Sequence, residues 1–237
     1  MSTKEGTDIV RRAKTNNISV TTETCPHYLL LKKKHLEQLG PYGKVTPPIR
    51  GTVDDINALW QGLLDGTIDF IASDHAPHPR DEKEPGWENI FAADGGVIGV
   101  QTMLPLMLTQ VNKGRISLTE LVNLTSMNPA KVFNLYPRKG IIQIGSDADL
   151  NVIDLKKEFV IRAEDQYSNI DYTPYEGWKV KGIPILTIVR GKIVVYEGEV
   201  LAKQGCGEWV IPSGRISAST GFTTETREAG KRKEIKE

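Results

Sequence analysis

Thr67-Ile-Asp-Phe-Ile-Ala-Ser-Asp-His-Ala-Pro-His78 is the stretch on which the reading of the whole chain turns. Residues 68–72 are rich in β-branched and aromatic side chains and contain neither glycine nor proline. A short apolar run of this kind fits a strand buried on both faces, as in a parallel sheet. The run breaks at Ser73-Asp74-His75, and Pro77 forbids its continuation. An acid and two imidazoles, Asp74 with His75 and His78, therefore fall just past the carboxyl end of a buried strand. That is where α/β barrels put their chemistry. The same residues also suit a turn capped by Asp74 with solvated histidines.

The chain has 237 residues, with 30 basic and 30 acidic side chains and 39% hydrophobic content. That length holds one large domain or two small ones. The balanced charge gives no footprint for nucleic acid or an anionic membrane, and no apolar run approaches spanning length. The first twenty residues are charged and helix-like, unlike a secretory signal. Cys25 and Cys206 stand far apart in unlike contexts. They argue against a disulfide framework and for a reducing cytoplasm.

Upstream of the opening stretch, Ser2-Thr3-Lys4-Glu5 has the pattern of a capping box, followed by a helical stripe of Ile9, Val10 and Ala13 that Asn16-Asn17 ends. Residues 18–22 read as a second strand, carrying Glu23-Thr-Cys-Pro-His-Tyr28 at its end. A short helix stops at Gly40, and the paired prolines after Thr46 force a stiff, extended loop. Residues 53–64 form an amphipathic helix with Ile56, Leu59, Trp60, Leu63 and Leu64 on one face. Beyond the opening stretch, charged residues 79–88 read as a surface loop over the site. Gly95-Gly-Val-Ile-Gly99 then opens a long apolar helix at 100–111. Helices at 118–125 and from Asn128-Pro129 to about Leu135 follow. At Gly140 the composition changes to strands: 141–144, 150–155, 159–162, and a hairpin of 185–190 with 192–196 about Gly191. The expected organisation is an α/β domain over 1–138, a small β unit over 139–212, and a disordered tail over 213–237.

Taken in order, eight pieces resemble the cyclic-amide branch of the amidohydrolase superfamily: dihydropyrimidinases, hydantoinases, allantoinases and dihydroorotases. They are Glu23 to Tyr28, Thr46-Pro-Pro-Ile-Arg50, Ala72 to His78, Gly95 to Pro105, Asn128-Pro-Ala130, Leu135 to Gly140, Gly145 to Leu150, and Pro174-Tyr-Glu-Gly-Trp178 with Val189-Arg-Gly-Lys192. The resemblance implies a metal-dependent (β/α)8 TIM barrel with two zinc ions at the carboxyl ends of its strands, joined to a small β-sandwich. It implies six metal ligands: a His-x-His pair, a carboxylated lysine, two further histidines and an aspartate on the eighth strand. Asp74 matches that aspartate. It would ligate metal, take a proton from the attacking water and pass it to the leaving amide nitrogen. Thr46 matches the position whose backbone contacts the substrate ring. His78 matches the position that contacts a substrate carboxylate in dihydroorotases. Gly96, with Gly95 and Gly99, and the following Thr102 match the segment that approaches the substrate.

The family's sixth-strand ligand precedes a Ser-Thr pair, and here Ser2-Thr3 follow Met1 directly. The chain is therefore expected to be the carboxyl-terminal part of the barrel, with two barrel strands, parallel and adjacent. His75 is expected to be structural, and His27 and Cys25 to pack rather than to ligate or attack. Two readings compete. One is a hydrolase of a small cyclic amide or imide that is incomplete here, works as a homo-oligomer or with a complementing N-terminal half, and is inactive alone. The other is a non-catalytic scaffold relative that lacks the metal centre.

Overall fold

The computed structural model describes residues 1–212; the expected disordered tail, 213–237, lies outside them. Helix α1, Lys4–Thr15, is capped by Thr3, whose side chain accepts from the Gly6 N–H at 3.1 Å. The cap thus sits one residue later than the capping-box pattern placed it. The helix ends at Asn16, and Asn17 takes the left-handed conformation, φ 58°. Its buried residue is Thr7, whereas Ile9 of the expected stripe is exposed. Thr7 packs where a Cβ on Gly62 would meet it at 3.0 Å, so α1 lies tightly against helix α4, Val53–Leu64. Thr52 caps α4 by accepting from the Asp55 N–H. Ile56, Leu59, Trp60 and Leu63 are buried as the periodicity predicts, while Leu64, at the helix end, is exposed.

Strand β1 is Glu23–Thr24 and β2 is Phe70–Ile71; they pair in parallel, Glu23 with Phe70 and Thr24 with Ile71. The two adjacent parallel strands expected are present. The first lies past residues 18–22, with Ile18 exposed. The shift has a local cause. The Asp69 carboxylate accepts the Thr22 N–H at 2.8 Å and Lys14 Nζ at 2.8 Å, which fixes Thr22 as the first residue held against β2. The Asp69 N–H donates to Thr22 O and the Ala72 N–H to Thr24 O, both at 2.9 Å, extending the pairing on either side.

Between the strands lie α2, Pro26–Leu30, and α3, Lys33–Leu39. The segment expected as a surface loop is instead helical: α5, Arg80–Lys83, followed by a 3-10 turn, Glu84–Trp87. Within it Lys83 is fully buried despite the charged composition around it. The apolar helix α6 spans Met103–Asn112, starting three residues later than the sequence suggested because 100–102 form a turn. Helix α7, Leu118–Val122, opens with a Ser117/Glu120 capping box. It runs through a π turn, Asn123–Met127, into α8, Asn128–Val132, so two expected helices are one continuous run. The wider turn accommodates Pro129, which has no N–H to donate.

Residues 141–144 are not a strand, and Ile142 and Ile144 point into solvent. The β unit is a single antiparallel sheet in the order β3-β4-β5-β6: Leu150–Val160, Lys179–Val189, Lys192–Tyr196 and Glu199–Val200. A second sandwich layer is not seen among the described residues. Residues 150–155 and 159–162 are merged into β3, apart from the last two of them, and Arg190-Gly191 makes the hairpin turn with both φ positive. The sheet is not separate from the helical part. The Lys181 carbonyl accepts from Asn112 Nδ2 at 3.1 Å, the Lys181 N–H donates to Thr109 Oγ1 at 2.9 Å, and Val180 lies in the common core.

Candidate functional site

The parallel pairing puts the carboxyl ends of β1 and β2 side by side, so the residues after Thr24 face those after Ile71. After β2 comes Asp74, exposed and held in the left-handed region at φ 47°. An aspartate tolerates that region better than most residues but still at a cost, and such positions cluster at functional sites. After β1 come Cys25 and, in the first turn of α2, His27; both side chains are buried. His27 Nε2 has no hydrogen-bond partner and stands 3.7 Å from Asp74 Oδ2, beyond hydrogen-bond reach. The ligand atoms of Cys25, His27 and Asp74 all lie within 4.8 Å of one another. Burial, then the nearby amino terminus of Met1, push His27 down to about 4, leaving the imidazole neutral at pH 7. Burial, then the Asp74 charge, push the Cys25 thiol up to about 12.

The glycine-rich segment lines the other side of the Asp74 loop. The Ala76 N–H donates to Val97 O at 3.0 Å, and His75 bridges Val97 in parallel. His75 Nδ1 accepts from the Gly99 N–H at 3.1 Å, so this ring anchors backbone, in line with the structural role expected. A Cβ on Gly96 would lie 2.6 Å from Ala76 O and 2.9 Å from His78 Cδ2, and one on Gly95 would lie 2.7 Å from Thr46 Oγ1. Thr46, Gly96 and His78 are thus brought together by backbone approaches that only glycine allows. His78 Nδ1 is bound to Glu82 Oε2 at 2.7 Å. Thr102 stands apart from this group: it is buried, and its hydroxyl donates to Gly99 O at 3.3 Å, bracing the glycine segment from behind.

Two features escaped the sequence reading. Lys83 donates from Nζ to Lys44 O at 3.0 Å and to Asp94 O at 2.8 Å, tying together the chain before Thr46 and the chain before Gly95. Burial, then the charge of Lys44, push it down to about 8. Composition gave no signal for it, because it is one of six charged residues in 80–84 and 88. The pairing of His27 with Asp74 did have a signal. Each lies three residues past the end of one of two adjacent parallel strands.

An acid past the carboxyl end of a parallel strand, framed by glycine-rich backbone, is placed where α/β folds carry their sites. The chain belongs to the amidohydrolase family, which matches residues 3–194. It is 43% identical over 211 residues to the L-hydantoinase of Paenarthrobacter aurescens, covering 89% of this chain and 46% of that protein. It is 42% identical over 224 residues to a dihydroorotase of Methanosarcina acetivorans, covering 92% of this chain and 47% of that protein. The solved structure of an L-hydantoinase (dihydropyrimidinase) from Arthrobacter aurescens aligns with a TM-score of 0.84 at 42% identity, over 88% of this chain and 46% of that one. The chain spans about half the length of the curated relatives it matches. No helix among the described residues is long and apolar enough to cross a membrane.

Among the described residues Asp74 alone answers to the six-ligand, two-ion centre that the family resemblance implies. The other donors beside it, a thiol and a buried imidazole, belong to a different set. The two-ion centre does not fit these residues by themselves.

Proposed function

We propose that residues 1–212 are the substrate-facing, carboxyl-terminal half of a hydrolase acting on a small cyclic amide or imide. The observation that carries this is Asp74, held with positive φ just past β2 in the loop whose Ala76 and His78 meet the bare Gly96 backbone, while Gly95 next to it meets Thr46. In this reading Asp74 takes up the proton of the attacking water and returns it to the amide nitrogen as the ring opens. The bare backbone of Gly95 and Gly96 lets a planar ring lie against the main chain, and the Thr46 backbone orients it. His78, oriented by Glu82, faces any acidic substituent. Two zinc ions would polarise the carbonyl and acidify water, but their remaining ligands have to come from beyond the described residues.

The 237-residue polypeptide on its own therefore does not turn over hydantoin, dihydrouracil, allantoin or dihydroorotate. It works in the cytoplasm, with a complementing N-terminal half or as a homo-oligomer. Co-expression with the amino-terminal half of the Paenarthrobacter aurescens L-hydantoinase, assayed against those four substrates, tests this. Ring opening that requires both halves supports it. A well-formed two-part complex that opens none of them overturns it.

A further inference from the structure

The geometry points to a single-ion site for a borderline-soft divalent cation, zinc above all, made by Cys25 Sγ, His27 Nε2 and Asp74. It shares Asp74 with the proposed hydrolase but neither its ligand set nor its chemistry. The first observation is an orphan. His27 is 1% exposed, and its Nε2 has no partner, which a buried polar atom does not ordinarily tolerate. The second is the spacing. Zinc holds nitrogen and oxygen donors at about 2.0–2.2 Å, so two such donors at a tetrahedral angle stand about 3.4 Å apart. His27 Nε2 and Asp74 Oδ2 are 3.7 Å apart, too far for a hydrogen bond and close to right for a shared ion.

The thiol completes the set. Its sulfur lies within 4.8 Å of the other two donors, and closure to a sulfur–metal bond of about 2.3 Å needs movement on the order of 1 Å. Cys25 releases its proton to solvent as the sulfur–metal bond forms, and His27 donates the lone pair of a neutral ring. The thiolate and the carboxylate then cancel the charge of the ion, so a site with two buried donors strands no net charge. A thiolate, an imidazole and a carboxylate together select zinc or cobalt(II) over magnesium or calcium. The exposed side of Asp74 leaves the fourth position to water.

Cobalt(II) titration of the purified 237-residue chain under reducing conditions tests this, because cobalt reports its ligands by colour. One cobalt per chain is expected, with a thiolate-to-metal charge-transfer band in the near ultraviolet, the visible bands of a four-coordinate ion, and displacement of both by zinc. Cys25→Ser should abolish the ultraviolet band. His27→Gln and Asp74→Asn should each weaken binding at least about tenfold. Cys206→Ser, at the exposed cysteine, should change neither. No thiolate band in the folded wild-type chain, or a band lost with Cys206 rather than Cys25, overturns the site. Two ions per chain without a thiolate band also overturns it, while favouring the family's own centre. A one-ion thiolate site, together with a two-part complex that never opens a ring, keeps this inference and ends the hydrolase reading.

Discussion

Asp74, Gly96 and Lys83 show what single positions contribute. Asp74 was legible in the sequence because an acid after a buried strand has a place in the α/β architecture. Gly96 was legible as part of a segment that approaches the substrate, but the contacts that require glycine there come from elsewhere in the chain. Any side chain there meets Ala76 O at 2.6 Å, so Gly96→Ala forces backbone apart. It should cost on the order of 1–3 kcal/mol, read as a shift of the urea midpoint at unchanged slope. Lys83 was not legible at all. Its folded pKa of about 8 lies below the ordinary 10.5, so between these values the unfolded chain holds a proton that the folded chain has lost. Stability from this group therefore rises with pH across that window, by up to about 3 kcal/mol. Unfolding measured from pH 7 to 10.5 should show the wild type gaining on Lys83→Met by roughly that amount. Parallel profiles would show that the ammonium is not desolvated.

At the scale of elements, long amphipathic patterns were read well and short apolar runs less so. Helix α4 has the bounds its periodicity predicted, since its buried face recurs with the helical period over twelve residues. Residues 18–21 and 141–144 have strand composition but lie outside the strands, and composition cannot reveal which backbone lies alongside. The π turn at Asn123–Met127 was hidden for a similar reason: Pro129 reads locally as a helix start. The outer face of α1 carries Ile9 at 58% exposure, and Ile18 beyond its end is equally exposed. Apolar residues left uncovered, next to a two-stranded sheet, favour association. The chain should sediment as more than a monomer, and Ile9→Glu should shift it toward monomer with unfolding free energy changed by no more than about 0.5 kcal/mol. A concentration-independent wild-type monomer would contradict this.

At the scale of the whole molecule, helices, a two-stranded parallel sheet and a four-stranded antiparallel sheet share one core through α6, with Val180 and Tyr175 buried against it. The change of composition at Gly140 marked the β unit but not the core it shares with the helices. The docking of the β unit on Thr109 and Asn112 did not show in the sequence, because it is made by the backbone of Lys181. The central claim is that this half presents Asp74 and the substrate-facing loops while the remaining catalytic ligands come from elsewhere. Its most direct test is hydrolysis and zinc content of the 237-residue chain, alone and assembled with a relative's amino-terminal half, with Asp74→Ala in parallel. The account predicts no turnover and at most one zinc per chain alone, ring opening on assembly, and its loss in Asp74→Ala. Two zinc ions per chain with ring opening by the unassembled polypeptide would contradict it.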